Sequence, residues 1–152
     1  VHNYWNQKGI ATTSLSLYDG SGLAPKNAFS SQFLTDILIY MFNNSEYSKS
    51  FINSLPKAGV DGTLKMFLRN SKYQSKVIGK SGSIGGVHCY SGYLLDGKKQ
   101  YAFTVMVNKF NGTRPQVRSA IEKFICRSYF TTPTNFISKQ RVVYSGILLL
   151  LV

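Results

Sequence analysis

Apolar and polar positions follow a helical period between residues 31 and 42. The apolar positions lie three or four residues apart, so they fall on one side of a helix. They are Phe33, Leu34, Ile37, Leu38 and Met41. Ser30 comes directly before this stretch and is a residue type that favours the N-cap position. The pattern predicts an amphipathic helix whose apolar side faces a core.

Three other stretches favour helices. Weaker signals predict short helices over residues 2–7 and 46–55. A final helix is predicted over residues 114–128, because Thr113 and Gln116 have the spacing of a capping box. Its apolar stripe consists of Val117, Ala120, Ile121, Phe124 and Ile125. We expect this helix to pack on a sheet through Ile121 and Phe124.

Strand signals lie close together in the middle of the chain. Strands are predicted over residues 76–83, 87–95 and 100–110, and Asp96-Gly97 favours a tight hairpin between the last two. The third strand is apolar on both faces, which is typical of a strand covered by helices on both sides. Its two faces carry Tyr101, Phe103, Val105 and Val107, and Ala102 and Met106. The element order therefore predicts an α+β fold with helices packed on an antiparallel sheet.

The last 24 residues differ from the rest of the chain. Residues 129–152 contain no acidic residue and end in an apolar run without helical period. A strand, a tail that touches a membrane and a segment that does not fold all remain open for them. We therefore divide the chain into one domain over residues 1–128 and a tail over residues 129–152. The run over residues 147–152 is too short to span a bilayer, and no signal peptide is visible at Val1.

The charge balance is strongly basic, with 18 Lys and Arg against 6 Asp and Glu, a net charge of +12. Such a surface favours anionic partners, but the sign alone does not choose among nucleic acid, acidic polymer and carboxylate-bearing substrate. Cys89 and Cys126 do not have metal-ligand spacing, and we expect two buried thiols, with a disulfide as the alternative. No metal site and no cofactor are expected.

The candidate chemistry begins with Lys80-Ser81-Gly82-Ser83, which lies on the first predicted strand before Gly85-Gly86. Alone, this K-[ST]-G string is a weak signal, since a strand end followed by a turn gives the same residues. A phosphate-binding Walker A loop is excluded, because it needs glycine where this chain has Gln74.

Several motifs occur in an order that makes the K-[ST]-G string more specific. They are Asp19-Gly20-Ser21-Gly22-Leu23 with Asn27, then Leu55-Pro56, Ala58-Gly59 and Asp61-Gly62-Thr63-Leu64, then Lys80-Ser81-Gly82-Ser83, Gly92-Tyr93, Tyr101-Ala102-Phe103 and Met106-Val107-Asn108. Over about residues 1–128 the series resembles the DacB-type, low-molecular-mass class C penicillin-binding proteins, which are D-Ala-D-Ala carboxypeptidases and endopeptidases. In that superfamily K-[ST]-G is the third signature element, after S-x-x-K and S-x-N.

The resemblance implies a β-lactamase/transpeptidase-like fold, present here as a partial domain, and a serine-type D-Ala-D-Ala carboxypeptidase activity. It implies that the Ser81 and Ser83 hydroxyls meet the substrate carboxylate, that Lys80 sets the local field, and that the Ser83 N–H is an oxyanion donor. Lys80 and Ser81 are then catalytic. The substrate-binding residues are Gly82, Ser83, Ile84 and Leu23.

The resemblance also implies partners and a location. They are peptidoglycan stem peptides ending in D-Ala-D-Ala, β-lactams, and the bacterial cell envelope, in the periplasm. One departure concerns Pro25, which stands where the family often has a basic residue, so a salt bridge from that position to substrate is in doubt. We expect Asp19, Ser21 and Asn27 to hold their loop and cap the next helix, and Asp61 to be a turn residue.

The nucleophile of such an enzyme is missing. The one S-x-x-K string is Ser54-Leu55-Pro56-Lys57, and S-x-N does not occur. Ser54 falls at a predicted helix end, whereas the serine and lysine of this motif must share a helical turn. We interpret the string as a coincidence and expect the nucleophile upstream of Val1, so that the isolated chain is inactive.

A basic module that binds nucleic acid or another polyanion is the alternative. The chain has no acidic residue between Asp61 and Asp96, and Tyr73 lies among its basic residues as a possible stacking partner for a base. The basic residues are Lys65, Arg69, Lys72, Lys76 and Lys80. Because no nucleic-acid-binding motif is present, we interpret them as a solvated face and expect no nucleic-acid partner.

Overall fold

The structure, a computed structural model, describes residues 1–97, 99–128, 142–144 and 147–151. Most of the predicted tail, residues 129–141, 145–146 and 152, therefore lies outside the described residues. In chain order the elements are α1 (His2–Gln7), α2 (Ser31–Asn43), α3 (Ser48–Ser54), a 3₁₀ turn (Gly62–Leu64), β1 (Val77–Ile84), β2 (Val87–Asp96), β3 (Lys99–Asn108), α4 (Arg114–Ser128), β4 (Val142–Tyr144) and β5 (Ile147–Leu151).

The strands form one antiparallel sheet in the order β1-β2-β3-β5-β4. The predicted meander of three sequential strands is confirmed, and β1 forms one edge. Gly85 and Gly86 join β1 to β2 with φ of 47° and 78°, and Gly97 follows β2 with φ of 63°. These positive values are the backbone conformations that glycine adopts without strain. Of the three possibilities for the tail, the strand holds for its last described residues, because β5 pairs with β3.

Both faces of the sheet are covered, as the two-sided apolar pattern of β3 predicts. On the first face α2 and α3 pack over a buried cluster of Leu38, Ile78, Tyr93 and Ala102. We call this the α2 face. On the second, the α4 face, the core contains the residues of α4 and of the loop before β1. Its buried members are Ala58, Leu64, Phe67, Leu68, Tyr73, Val77, Tyr90, Leu94, Phe103, Val105, Val117, Ile121 and Ile125.

Helix α2 begins and packs through specific hydroxyl contacts. The Ser30 Oγ accepts a hydrogen bond from the Phe33 N–H at 3.1 Å, so Ser30 is the predicted N-cap. On the α2 face the fully buried Thr35 and Thr104 hydroxyls lie 2.9 Å apart, and the Thr104 hydroxyl lies 2.9 Å from that of Ser91. The Thr35 hydroxyl also donates to the Ser31 carbonyl at 2.8 Å. This hydroxyl chain joins α2 to β3 and β2 across an otherwise apolar face.

Helix α4 shows the predicted capping box. The Thr113 N–H donates to the Gln116 Oε1 at 2.8 Å, and the Gln116 N–H reaches the Thr113 Oγ1 at 3.5 Å. Val117, Ile121 and Ile125 are buried against the sheet, and Phe124 packs half-buried beside them. The predicted contact of this helix with the sheet through Ile121 and Phe124 is confirmed.

Several details differ from the sequence-based expectations. Helix α3 begins at Ser48, two residues later than predicted, and β3 ends at Asn108 instead of residue 110. Cys89 and Cys126 are free, as expected, but each is half-buried instead of fully buried. Cys89 lies opposite Gly82 in the sheet, near the exposed hairpin end, where neighbouring residues do not enclose it.

Candidate active site

The Lys80-Ser81-Gly82-Ser83 segment lies in β1, at the edge of the sheet. Successive strand residues point to opposite faces, so Ser81 and Ser83 share the α4 face with the buried Val77. Lys80 and Gly82 share the α2 face with Ile78. Burial falls sharply along the strand. Its first three residues are buried, and Lys80, the fourth, is exposed. The string thus lies where β1 leaves the core.

The outer edge of β1 is covered only at its start. There the Ala58 N–H donates to the Val77 carbonyl at 2.9 Å, and the Gly79 N–H donates to the Pro56 carbonyl at 3.0 Å. In an antiparallel pair every second residue turns its backbone groups away from the partner strand. Since Gly79 faces outward, Ser81 and Ser83 do so as well. Beyond the segment over residues 56–58, β1 therefore presents two outward-facing N–H groups with no partner among the described residues.

The polar groups at this open edge are mostly hydrogen-bond donors. The Lys80 Nζ donates to the Ser81 carbonyl at 2.8 Å, which engages an outward-facing acceptor and places an ammonium at the edge. The Ser83 Oγ donates to the Val87 carbonyl at 3.1 Å. An ammonium, N–H groups and hydroxyls close together favour an oxyanion or a carboxylate as the ligand.

The predicted cleft residues Ile84 and Leu23 are both exposed, at 40% and 73%. Ile84 ends β1, next to Ser83. The Leu23 N–H donates to the Ser21 Oγ at 3.3 Å, and no hydrogen bond among the described residues joins Leu23 to β1. The structure therefore brings together five of the six predicted site residues on one strand, and it leaves Leu23 at the tip of a separate loop.

The loop that carries Leu23 is held by Asp19 and Asn27. The Asn27 Nδ2 donates to an Asp19 carboxylate oxygen at 2.6 Å, and the Ser21 hydroxyl donates to the other at 2.6 Å. These bonds, that from Ser21 first, lower the pKa of Asp19 below its ordinary value. The predicted role of Asp19, Ser21 and Asn27 in holding the loop is confirmed. The prediction that they cap the next helix is wrong, because Ser30 does so.

The two remaining motif residues have local roles. The Asp61 Oδ1 accepts from the Lys57 N–H at 2.7 Å and closes a turn, as expected. Ser54 is the last residue of α3, and its hydroxyl donates to the Phe51 carbonyl at 2.7 Å. Lys57 lies beyond the helix, so Ser54 and Lys57 do not share a helical turn.

Sequence reasoning missed two residues that lie beside the string. His88 is opposite Ser83, and Tyr90 is opposite Ser81, both on the α4 face. The His88 Nε2 lies 3.1 Å from the Tyr90 hydroxyl, and the Tyr90 ring stacks on Phe67 with centroids 3.9 Å apart. The Gly85-Gly86 turn was the available signal, because a two-residue turn there pairs Ser83 with His88.

The structure removes one argument for the alternative of a nucleic-acid-binding module. Tyr73, the aromatic residue among the lysines, is 2% exposed and belongs to the core. The Lys72 Nζ lies 4.9 Å from the centre of its ring. A buried ring is not open to stacking with a base, so only the charges of this region remain in favour of that alternative.

Two other classes of function depend on a membrane-spanning helix or on a cluster of metal ligands. None of the helices among the described residues combines the length and the apolar run needed to cross a bilayer. Within the same residues, no three His, Cys, Asp or Glu side chains lie close enough together to hold a metal ion.

Comparison with known proteins places the whole described core in one family. The model of the D-Ala-D-Ala carboxypeptidase 3 (S13) family matches residues 1–127. A D-alanyl-D-alanine carboxypeptidase of Actinomadura sp. (strain R39) is 31% identical over 112 residues, which are 70% of this chain and 21% of that protein. The D-alanyl-D-alanine carboxypeptidase DacB of Haemophilus influenzae is 28% identical over 114 residues, 73% of this chain and 24% of that protein.

Solved structures give the same relationship. Penicillin binding protein 4 (dacB) from Haemophilus influenzae, in complex with a β-lactam, matches with a TM-score of 0.71 and 25% identity. The match covers 81% of this chain and 30% of that one. The same protein in a second structure matches with a TM-score of 0.69 and 26% identity. The chain thus spans about a quarter of the length of the curated relatives it matches, and its partial α+β domain is of the transpeptidase-like kind.

Proposed function

Since the chain belongs to the D-Ala-D-Ala carboxypeptidase 3 (S13) family, we propose that it supplies the substrate-binding edge of a serine-type D-Ala-D-Ala carboxypeptidase. Its substrate is a peptidoglycan stem peptide that ends in D-Ala-D-Ala. β-Lactams bind to the same edge, by analogy with the complex of the Haemophilus influenzae protein. The bacterial cell envelope, on the periplasmic side, is the location that such a substrate requires.

The observation that carries this proposal is the open outer edge of β1 beside Lys80. An extended peptide can add to an unpaired sheet edge through backbone hydrogen bonds. Here the outward N–H groups of Ser81 and Ser83 are the donors available to it. The carboxylate of the terminal D-Ala then lies within reach of the hydroxyls, and the carbonyl under attack lies at the Ser83 N–H.

The reaction requires a nucleophile that this edge does not contain. A serine oxygen forms a bond to the carbonyl carbon of the penultimate D-Ala, the bond to the terminal D-Ala nitrogen breaks, and the serine proton passes to that leaving amine. Water then releases the acyl group with the help of a base. We assign the serine and its lysine partner to residues upstream of Val1, since Ser54 is engaged with the Phe51 carbonyl at the end of α3.

A fluorescent penicillin tests the assignment in two proteins, the 152-residue chain and the longer coding product that includes residues upstream of Val1. We expect covalent labelling, seen on a denaturing gel, only in the longer protein. There Lys80→Ala should slow labelling by at least about 100-fold, because the field at the developing oxyanion is lost.

Ser54→Ala is the matched control, since it also removes one polar group near the same sheet. It should leave labelling of the longer protein unchanged. Labelling of the isolated chain that Ser54→Ala abolishes would place the nucleophile at Ser54 and overturn the assignment. Full labelling of the Lys80→Ala protein would show that Lys80 is not part of the site.

A further inference from the structure

Gly82 and Ser83 share the peptide unit that carries the proposed oxyanion donor. In a trans peptide unit the carbonyl and the N–H point in opposite directions. The Gly82 carbonyl points inward to β2, because Gly82 pairs with Cys89 and lies between the outward-facing Ser81 and Ser83. The Ser83 N–H of the same unit points outward, to the open edge. A contact that holds the Gly82 carbonyl therefore also sets the direction of the Ser83 N–H.

Cys89 contacts this carbonyl from the neighbouring strand. Its Sγ donates to the Gly82 carbonyl oxygen at 3.5 Å, on the face of the sheet to which Gly82 and Cys89 both belong. Burial, as the main cause, raises the pKa of the Cys89 thiol above its ordinary value, so the thiol keeps its proton at neutral pH and remains a donor. A neutral thiol also forms no ion pair with Lys80, which lies on the same face.

The glycine of the K-S-G string leaves room for this sulfur. Gly82 does not have a positive φ, so its backbone conformation does not itself require glycine. A Cβ at Gly82 would meet the Cys89 Sγ at 3.0 Å, and beyond its chain neighbours it would meet no other atom of the described residues within 4 Å. The space that a side chain of β1 would fill is therefore taken by the sulfur of β2.

We propose that Cys89 is a positioning residue for the oxyanion donor, because its thiol orients and polarises the peptide unit whose N–H belongs to Ser83. The proposal rests on the proposed function, in which that N–H binds the carbonyl under attack. A carbonyl that accepts a hydrogen bond makes the N–H of the same unit a stronger donor. The outer edge of β1 is open at this point, so β2 is the strand that holds the unit in place.

The first test uses NMR spectra of the 152-residue chain, in which the Gly82 carbonyl carbon and the Ser83 amide proton report on the peptide unit. Cys89→Ala removes the donor, and both resonances should move upfield. Cys89→Ser keeps a donor and should retain most of the original shifts. Cys126→Ala is the matched control, since it removes the other half-buried thiol from α4 and should change neither resonance. Gly82→Ala, whose Cβ displaces the sulfur, should move the Ser83 amide proton in the same direction as Cys89→Ala.

The second test measures labelling of the longer coding product by the fluorescent penicillin. Cys89→Ala should slow acylation by about three- to tenfold, less than the loss of an oxyanion donor itself, because a thiol is a weak donor. The dissociation constant of the complex that precedes acylation should not change, since the oxyanion forms only in the transition state. Cys89→Ser should restore most of the rate, and Cys126→Ala should not alter it. Circular dichroism checks that each variant is folded.

Unchanged resonances in Cys89→Ala, or changes no larger than those in Cys126→Ala, would overturn the contact. Changed resonances with an unchanged rate of acylation would overturn the positioning role. The two readouts also separate this proposal from the proposed function. If the resonances move as expected while the longer protein is not labelled at all, the contact of Cys89 with the peptide unit stands and the proposed function fails. If the longer protein is labelled equally fast with and without the Cys89 thiol, the proposed function stands and the positioning role is wrong.

Discussion

The two halves of β1 have the same backbone but opposite surroundings. In the first half, Val77 and Gly79 are hydrogen-bonded on the outer edge by residues 56–58, and both are buried. In the second half, the outer edge at Ser81 and Ser83 has no backbone partner among the described residues. An exposed strand edge is normally a risk for aggregation, which proteins reduce by covering or charging it. Here one half is covered, and the other carries Lys80.

This difference shows how an open edge can keep a defined shape. The polar half of β1 contributes little packing of its own, so its position depends on the buried half and on β2. Variants in the two halves of β1 should therefore affect different properties of the protein. Changes in the buried half should reduce stability, whereas changes in the polar half should reduce binding and leave stability almost unchanged.

The largest effect is expected at Gly92, which lies opposite Gly79. A Cβ at Gly92 would meet the Ile78 carbonyl oxygen and would lie 2.5 Å from the Gly79 Cα. These are backbone atoms that cannot move without separating the strands. Gly92→Ala should lower the free energy of unfolding by at least about 3 kcal/mol, measured by denaturant titration.

Gly20→Ala is the matched control, because a Cβ there meets nothing within 4 Å. It should change the free energy of unfolding by less than about 0.5 kcal/mol. Equal stability of the Gly92→Ala and Gly20→Ala variants would mean that the close contact between β1 and β2 is not what positions the edge.

A smaller loss is expected from Tyr93→Phe. The Tyr93 side chain is fully buried opposite Ile78, and its hydroxyl donates to the Leu38 carbonyl of α2 at 2.6 Å. Removing the hydroxyl keeps the ring and loses one buried hydrogen bond. The free energy of unfolding should fall by about 1 to 2 kcal/mol in thermal or denaturant unfolding. An unchanged or raised stability would contradict a role for this bond in holding α2 on the sheet.

The pH dependence of stability tests the burial of His88, which lies on β2 opposite Ser83 of the open half. Its pKa in the folded protein is below the ordinary value of 6.5, first because of burial. The unfolded chain therefore binds a proton more readily, and stability should be complete above about pH 6.5 and fall as the pH is lowered below it. Denaturant titrations between pH 5 and 8 measure this slope. His88→Gln should flatten it, and an unchanged slope would assign it to other groups.

The smallest effect on stability is expected from Ser81→Ala/Ser83→Ala. Both side chains lie at the open end of the strand, and neither contributes to the buried clusters. The free energy of unfolding should change by no more than about 0.5 kcal/mol. Binding of N-acetyl-D-alanyl-D-alanine to the same variant should fall, because its carboxylate loses the Ser81 hydroxyl as a donor, whereas that of Ser83 is engaged with the Val87 carbonyl. A loss of stability as large as that of Tyr93→Phe would contradict the comparison between the halves.

Local signals predicted much of this fold from the sequence. Ser30, the Thr113–Gln116 pair and the Asp96-Gly97 turn act through neighbouring residues, so their roles follow from spacing alone. The two-sided pattern of β3 also predicted that both faces of the sheet are covered. The K-S-G-S string was placed on its strand because it lies between an apolar start and the Gly85-Gly86 turn.

Other features depend on contacts that spacing does not reveal. Leu68, Asn70 and Ser75 adopt positive φ in the loop before β1, although they are not glycine. Their N–H groups donate to Glu122, Gln74 and Ala58, respectively, which holds the loop in this conformation. The hydroxyl chain from α2 to β2 joins positions that are far apart in the sequence.

That hydroxyl chain has a consequence for spectroscopy. Each hydroxyl holds a single proton. The Thr35 hydroxyl lies 2.8 Å from the Ser31 carbonyl and 2.9 Å from the Thr104 hydroxyl, and the Ser91 hydroxyl lies within hydrogen-bond distance of Thr104 and of the Phe103 carbonyl. Hydroxyl protons normally exchange with water too fast to be seen, but those of the fully buried threonines are shielded from solvent. Their resonances would report directly, without an added label, that α2 is packed on the sheet.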